Sequence, residues 1–240
     1  MVVEPALEIH GLIAGYEDVT VLRGVDLALE PATITAVIGA NGAGKSTLLK
    51  AVFGLVRTTR GTVHLLGEDV TRLGTRERMR RGLVIVPQGR CNFPLMSVQE
   101  NLEMGAYTRR DGGVRADIEA IYRSFDVLAT RRRVLAGNLS GGEQQLLEMA
   151  MALTVSPKVI LLDEPSLGLS PAMQEQVFSS ISRLRDLGTT VLMVEQNAVQ
   201  ALRIAQRGIV LELGKVSHDG TGTAMLENPD VRRAYLGLPS

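Results

Sequence analysis

The stretch Gly39-Ala40-Asn41-Gly42-Ala43-Gly44-Lys45-Ser46-Thr47 constrains this chain more than any other. It has the pattern G-x-x-x-x-G-K-[ST], a phosphate-binding loop. The apolar run from Thr33 to Ile38 reads as a short buried strand leading into it. Ser46 to Phe53 reads as a helix that stops at Gly54. Glycines let backbone N–H groups turn inward without Cβ clashes, and the new helix points its positive end at the same spot. Lys45 adds a full charge suited to β- and γ-phosphates, and the Ser46 hydroxyl suits Mg²⁺.

With 240 residues the chain can form one large domain or two small ones with a real core. Formal net charge is zero, so no global field draws it onto nucleic acid or an anionic membrane. Arginines cluster at Arg76 to Arg81 and at Arg131-Arg132-Arg133, and both runs read as solvated faces. The single cysteine, Cys91, excludes an internal disulfide framework and fits a reducing compartment. Met1 to Pro5 carries no basic or apolar leader pattern. No apolar run approaches the roughly 20 residues needed to span a bilayer. Work at a membrane would therefore require other chains.

Leu7 to Tyr16 and Val21 to Leu29 read as strands, the second with Val25, Leu27 and Leu29 alternating with Asp26, Ala28 and Glu30. Tyr16 ends the first strand, a short distance before the phosphate loop. Aromatics make up only 3% of the chain, which makes Tyr16 a candidate platform for stacking a base. Gly61 to Leu66 is an apolar strand, followed by a polar helix around Thr75 to Arg81. Leu83 to Val86 is a buried strand that runs into Pro87-Gln88-Gly89-Arg90. This places Gln88 at the carboxyl edge of a parallel sheet, where ligands bind in α/β folds. From there to about residue 138 strand patterns give way to helical ones. Ser97 and Glu100 form a capping box, and Val114, Ile118, Ile121, Tyr122 and Phe125 mark a second amphipathic helix. The segment reads as a helical subdomain inserted into an α/β core, with Gly and Pro junctions on which it can pivot.

Leu139-Ser140-Gly141-Gly142-Glu143-Gln144-Gln145 carries another capping box, Ser140 with Glu143, and opens a long helix. Two glycines at a capped helix N-terminus make a second anion site or simply a cap. Val159-Ile160-Leu161-Leu162 buries a strand from whose end Asp163 and Glu164 emerge. Paired acids beside buried neighbours call for a cation or a proton. Asp163 fits a Mg²⁺ site, and Glu164 is placed to polarise a water. Ser170-Pro171 starts a helix that Gly188 ends, with Met173, Val177, Ile181 and Leu184 as core positions. Thr190 to Val194 is one more buried strand, so Gln196 lies at the same sheet edge as Gln88 and Glu164. Ile209 to His218 reads as a hairpin, and Asn228-Pro229 caps a short helix ending near Leu236. His10, His64 and His218 are scattered and read as satisfied or solvated rather than metal-binding.

The phosphate loop, Gln88, Leu139-Ser140-Gly141-Gly142-Glu143-Gln144 and the Asp163-Glu164 strand occur in that order. The combination resembles the nucleotide-binding subunit of ATP-binding cassette (ABC) transporters over nearly the whole chain. The resemblance implies one cassette: a P-loop NTPase α/β core with an antiparallel β subdomain (1–88 and 155–240) and an inserted helical subdomain (89–154). It implies ATP and Mg²⁺ as ligands, with ATP hydrolysis coupled to transmembrane transport. ATP would be held by Tyr16 and by residues Gly39 to Thr47, and the metal by Ser46, Gln88 and Asp163. Glu164, Gln196 and Gln88 would be the catalytic set. Ser140, Gly141 and Gly142 would reach the γ-phosphate in the other subunit of a head-to-tail dimer. The implied partners are a second ATPase chain, two transmembrane permease subunits and, indirectly, a periplasmic or extracellular solute-binding protein, with no nucleic acid. The implied place is the cytoplasmic face of a bacterial or archaeal plasma membrane.

Pro87-Gln88-Gly89-Arg90, Pro165 to Pro171, Val194-Glu195-Gln196-Asn197-Ala198 and Arg233-Ala234-Tyr235-Leu236-Gly237 are similar to the ATPases of branched-chain amino acid importers, with urea and short-amide importers as close relatives. Three positions depart from the broad family pattern. Gln196 stands where His is usual; it can donate a hydrogen bond but cannot carry the imidazolium charge. Leu169 stands where Asp is common, and Met151 where Arg is frequent. The alternatives are a soluble ABC-type ATPase acting on nucleic acid or the ribosome, and an export ATPase. A single P-loop, a short insert and zero net charge weigh against the first of these.

Overall fold

A computed structural model describes residues 4–236. Met1 to Val3, part of the stretch read for a leader, and Gly237, the end of one importer-like motif, lie outside them. Among the described residues ten strands form two sheets. An antiparallel sheet has the order β2-β1-β4-β5, built from β1 (Leu7–Tyr16), β2 (Val19–Leu29), β4 (Thr58–Leu65) and β5 (Glu68–Asp69). A six-stranded sheet has the order β10-β9-β3-β8-β7-β6. Its members are β3 (Ile34–Ile38), β6 (Leu83–Val86), β7 (Val159–Asp163), β8 (Thr190–Val194), β9 (Arg207–Glu212) and β10 (Lys215–Thr221). Every pairing in it is parallel except the β9–β10 hairpin at one edge.

Burial explains this arrangement. β3, β7 and β8 are buried at every position, as a parallel sheet covered on both faces requires. Alternate residues go to opposite cores. Ile34, Ala36, Ile38, Ile160 and Leu162 join one apolar cluster, while Val37, Val159 and Leu161 join the other. The second cluster packs the antiparallel sheet and α1 (Lys45–Phe53) against one face. The first packs α7 (Pro171–Asp186), α8 (Ala198–Ile204) and the helical stretch between β6 and β7 against the other.

That stretch runs through α3 (Val98–Gly105), α4 (Val114–Ser124), α5 (Asp126–Thr130) and α6 (Gly141–Leu153). Both expected capping boxes form. Ser97 accepts from the Glu100 N–H, Ser140 accepts from the Glu143 N–H, and each glutamate returns the bond to its cap. Inside the stretch α3 and α6 pack closely. A Cβ on Gly105 would lie 2.7 Å from the Met151 carbonyl oxygen, so the helices touch backbone to backbone at this point. The Met151 side chain is half-buried and packs against the apolar cluster on this face.

The Arg-rich runs are solvated faces, as the sequence implied, at Arg76, Arg80, Arg81, Arg131 and Arg133, and Arg78 is the exception. α2 (Thr75–Arg80) turns Arg78 inward, where it is 2% exposed. Its guanidinium donates to the carbonyls of Leu73 (3.0 Å), Thr71 (2.8 Å), Ala51 (3.1 Å) and Val52. Arg131 pairs with Glu143 at 2.8 Å, and Arg132 forks onto Glu119 while lying 3.9 Å above the Tyr122 ring. The physical reason is proximity of acceptors brought from elsewhere in the chain, which local composition does not report.

Candidate functional site

The phosphate loop leaves β3 at the centre of the large sheet and enters α1. Gly39, Gly42 and Gly44 have φ of 152°, 81° and 106°. Gly39 cannot be replaced without strain, since a Cβ would lie 2.3 Å from the Leu211 carbonyl oxygen. Gly44 caps α1 in the left-handed region with no side-chain bond to the first-turn N–H groups. Those groups therefore face the loop. Lys45 is 5% exposed and folds back, its Nζ donating to the carbonyls of Gly39 (2.8 Å) and Ala40 (3.2 Å). An ammonium parked on loop carbonyls is pre-placed beside the concavity that the loop encloses.

Four strand exits meet around one cavity of about 550 Å³. It is lined by Val21, Asn41, Gly42, Gly44, Lys45, Ser46, Thr47, Gln88, Glu164, Leu167 and Gln196. The exits of β3, β6, β7 and β8 supply the loop, Gln88, Glu164 and Gln196 respectively. Ser46 Oγ donates to Asp163 Oδ1 at 2.8 Å, and Gln88 Nε2 donates to Glu164 Oε2 at 3.2 Å. Asp163 is 3% exposed, so its carboxylate is held in a dry site by the hydroxyl of the loop. Glu164 has φ of 50°, an uncommon conformation for a residue with a Cβ, and its N–H is tied to the Val194 carbonyl at 3.0 Å. The strand end is thereby bent so that the Glu164 side chain faces the cavity.

Other expected residues stand apart from this cavity. Tyr16 ends β1, is 46% exposed and is absent from the cavity lining. Ser140 and Gly141 are exposed at the N-terminus of α6, and Gly142 is buried against Met173. None of the three lines the cavity of its own chain.

Two functional-looking carboxylates escaped the sequence reading. Glu195 is 1% exposed and accepts from the backbone N–H groups of Ser166 (2.8 Å), Gln196 (3.0 Å) and Asn197 (3.2 Å). Burial pushes its carboxyl up from the ordinary range, and the Ser166 hydroxyl and the N–H donors pull it the other way. Its place at the same strand end as Gln196 was the available signal. Glu148 on α6 is 4% exposed. Its Oε1 accepts from the Cys91 N–H (2.8 Å) and Asn92 Nδ2 (2.9 Å), while Oε2 is buried without a partner. Burial raises its pKa also.

Residues 22–167 match the family described as ABC transporter. The chain is 42% identical to the high-affinity branched-chain amino acid transport ATP-binding protein BraG of Pseudomonas aeruginosa, covering 92% of this chain and 95% of that one. It is 40% identical to the probable branched-chain amino acid transport ATP-binding protein LivF of Archaeoglobus fulgidus, over 95% and 97%. The lipopolysaccharide export system ATP-binding protein LptB of Haemophilus influenzae is 33% identical, over 96% and 97%. Among solved structures, an ATP-binding cassette of an ABC transporter in its ADP conformation superposes with a TM-score of 0.88 at 25% identity, over 97% of this chain and 99% of that one. With a phosphate loop and a strand-end glutamate around one cavity, and a buried aspartate bonded to that loop through Ser46, in a chain matched along nearly its whole length, this protein belongs to the ABC transporter family as an ATP-binding and ATP-hydrolysing cassette.

Proposed function

We propose that this cassette powers a membrane importer, with branched-chain amino acids or a related small solute such as urea or amides as cargo. The observation that carries the site reading is the pair of bonds across the cavity, Ser46 to Asp163 and Gln88 to Glu164. They bring the phosphate loop, the aspartate and the glutamate to one place. Cargo rests on the 42% and 40% identities to amino acid transport subunits, against 33% to an export subunit.

ATP lies along the loop, its β- and γ-phosphates against the N–H groups that open α1 and against Lys45 Nζ, with Tyr16 as the stacking face for adenine. Ser46, Gln88 and Asp163 suit Mg²⁺: a hydroxyl, an amide oxygen and a buried carboxylate are hard oxygen donors. The metal would neutralise charge on the β- and γ-oxygens. Glu164 orients the attacking water, and Gln196 donates a hydrogen bond to the γ-phosphate. The exposed Ser140-Gly141-Gly142 end of α6 would complete the site of a second chain, head to tail. That arrangement explains why a capped helix N-terminus with two glycines stands outside its own cavity. In it, residues 89–154 act as a helical unit beside the nucleotide-binding core.

No helix among the described residues is long and apolar enough to cross a membrane. The proposed assembly places this chain peripherally on the cytoplasmic face, under two permease subunits and paired with a second ATPase chain. A solute-binding protein would feed the far side. A tagged chain purified from solubilised membranes is expected to bring down two membrane subunits and a sister ATPase. Recovery with lipopolysaccharide export components would replace the importer with the exporter, and recovery with ribosomes or nucleic acid would overturn both. Separately, Glu164→Gln should lower ATP turnover at least about 100-fold while ATP still binds. Unchanged turnover removes Glu164 from the mechanism.

A further inference from the structure

We propose that Glu195 is a positioning residue whose single buried carboxylate locks the loop carrying Glu164 to the loop carrying Gln196. The inference rests on the catalytic reading of those two residues given above, and adds what holds them in register.

The backbone stitches the strand exits in sequence. The Glu164 N–H donates to the Val194 carbonyl at 3.0 Å, and the Glu195 N–H donates to the Val37 carbonyl at 3.1 Å. These bonds fix where the strands end, but not the loops beyond. The Glu195 side chain does that. One oxygen accepts from the Ser166 N–H, two residues past Glu164, and the other from the N–H groups of Gln196 and Asn197. A second link runs in parallel. Asn197 Nδ2 donates to Gln174 Oε1 at 3.0 Å, and Gln174 Nε2 donates to the Ser166 carbonyl at 3.3 Å. Glu195, Ser166, Gln174 and Asn197 thus close a ring that joins the two loops.

The cost of this ring argues for its purpose. Glu195 takes part in none of the ion pairs among the described residues, so its buried carboxylate is compensated by the Ser166 hydroxyl and by N–H dipoles, with no cation beside it. A neutral cap could tie down a loop with far less desolvation. What a carboxylate offers is two acceptor oxygens at a fixed spacing, able to hold N–H groups from two loops at once. Glutamine in its place keeps one acceptor and turns an NH₂ toward N–H donors, so one loop is released.

The test uses the full chain and four variants: Glu195→Gln, Gln174→Ala, Gln196→Ala and the double variant Glu195→Gln with Gln196→Ala. Rates are taken per bound nucleotide, so that a smaller folded fraction does not register. Glu195→Gln is expected to lower kcat about 10- to 100-fold, the scale of an ångström of misplacement. KM for ATP should stay within about twofold, since the phosphate loop is untouched. Gln174→Ala should lower kcat by about 2- to 5-fold with no change in KM, and carries the test alone if Glu195→Gln does not fold. The double variant should lose clearly less than the product of the two single losses, because part of the Glu195→Gln loss passes through the Gln196 side chain. An unchanged kcat, a KM that rises in step with the fall in kcat, or losses that multiply in the double variant would overturn the inference. Full turnover in Glu164→Gln would instead sink the catalytic reading, whereas an inactive Glu164→Gln beside an unaffected Glu195→Gln sinks only the positioning role.

Discussion

Arg78→Met should be one of the most damaging single substitutions outside the nucleotide cavity. The guanidinium lies under the C-terminus of α1, the helix that carries the phosphate loop. It donates to the Ala51 and Val52 carbonyls of the last turn of that helix, and to Leu73 and Thr71 on the segment leading into α2. Last-turn carbonyls have no partner within their own helix, and a cation there also favours the negative end of the helix. Gly54, which ends α1 with φ of 87°, leaves room for this contact, since a Cβ there would lie 3.1 Å from Arg78 Nε. Burial lowers the guanidinium's pKa and the charge of Asp69 opposes that, yet it remains protonated at neutral pH. Methionine keeps the aliphatic reach of this 2% exposed side chain and deletes the donors to Val52, Leu73 and Thr71, while the Ala51 carbonyl keeps the Gly54 N–H at 3.1 Å. Breaking such a buried, charge-assisted set costs about 3–5 kcal/mol. At about 2–4 °C per kcal/mol for a domain of this size, the midpoint should fall by about 6–20 °C. Circular-dichroism melts at neutral pH, with the exposed neighbour substituted as Arg76→Met, make the comparison; the control should move by no more than about 0.5 kcal/mol. A midpoint for Arg78→Met within 2 °C of the parent, by order of magnitude no larger than the control's shift, would refute the argument.

Three further outcomes are expected. Glu148→Gln keeps an acceptor for Cys91 and Asn92 and removes a buried, unpartnered carboxylate oxygen. Because burial raises the Glu148 pKa above 4.5, the folded state binds that proton more tightly than the unfolded state, and its stability falls as pH rises through this window. The variant should therefore be more stable than the parent at neutral pH by about 1–3 kcal/mol, the gain shrinking toward pH 4.5; lower stability at neutral pH contradicts the account. Gly141→Ala has room, its Cβ meeting only Leu169 at 3.6 Å, so melting should be unaffected while a methyl group obstructs the approach of a partner's phosphate and turnover drops about tenfold or more. Equal turnover would remove this helix end from the site. Tyr16→Ala should weaken ATP affinity by about 1–3 kcal/mol if its ring stacks on the base, and an unaltered dissociation constant returns Tyr16 to a surface role.

Much of this protein is legible where the chemistry is local. The phosphate loop needs glycines at φ values that other residues resist, so the pattern and its conformation are nearly the same statement. The strands before Gln88, Glu164 and Gln196 are continuous apolar runs, and their bounds follow from composition alone. Both capping boxes pair residues three apart, and both form.

Tertiary structure decided whatever depends on partners far along the chain. Arg78 looks like its neighbours Arg76 and Arg80 in an exposed helix; it is buried because the carbonyls it serves lie 26 and 27 residues earlier. Glu195 looks like a polar residue closing a strand; its purpose appears only when Ser166, 29 residues away, arrives with a free N–H. Glu148 sits among core residues of α6 with nothing nearby to explain a carboxylate until Cys91 and Asn92 pack against it from 57 and 56 residues back. Sequence determines backbone conformation and the alternation of burial because these are set by each residue and its immediate neighbours. Which polar groups can afford to be buried is set by long-range acceptors and donors, and only the folded chain supplies them.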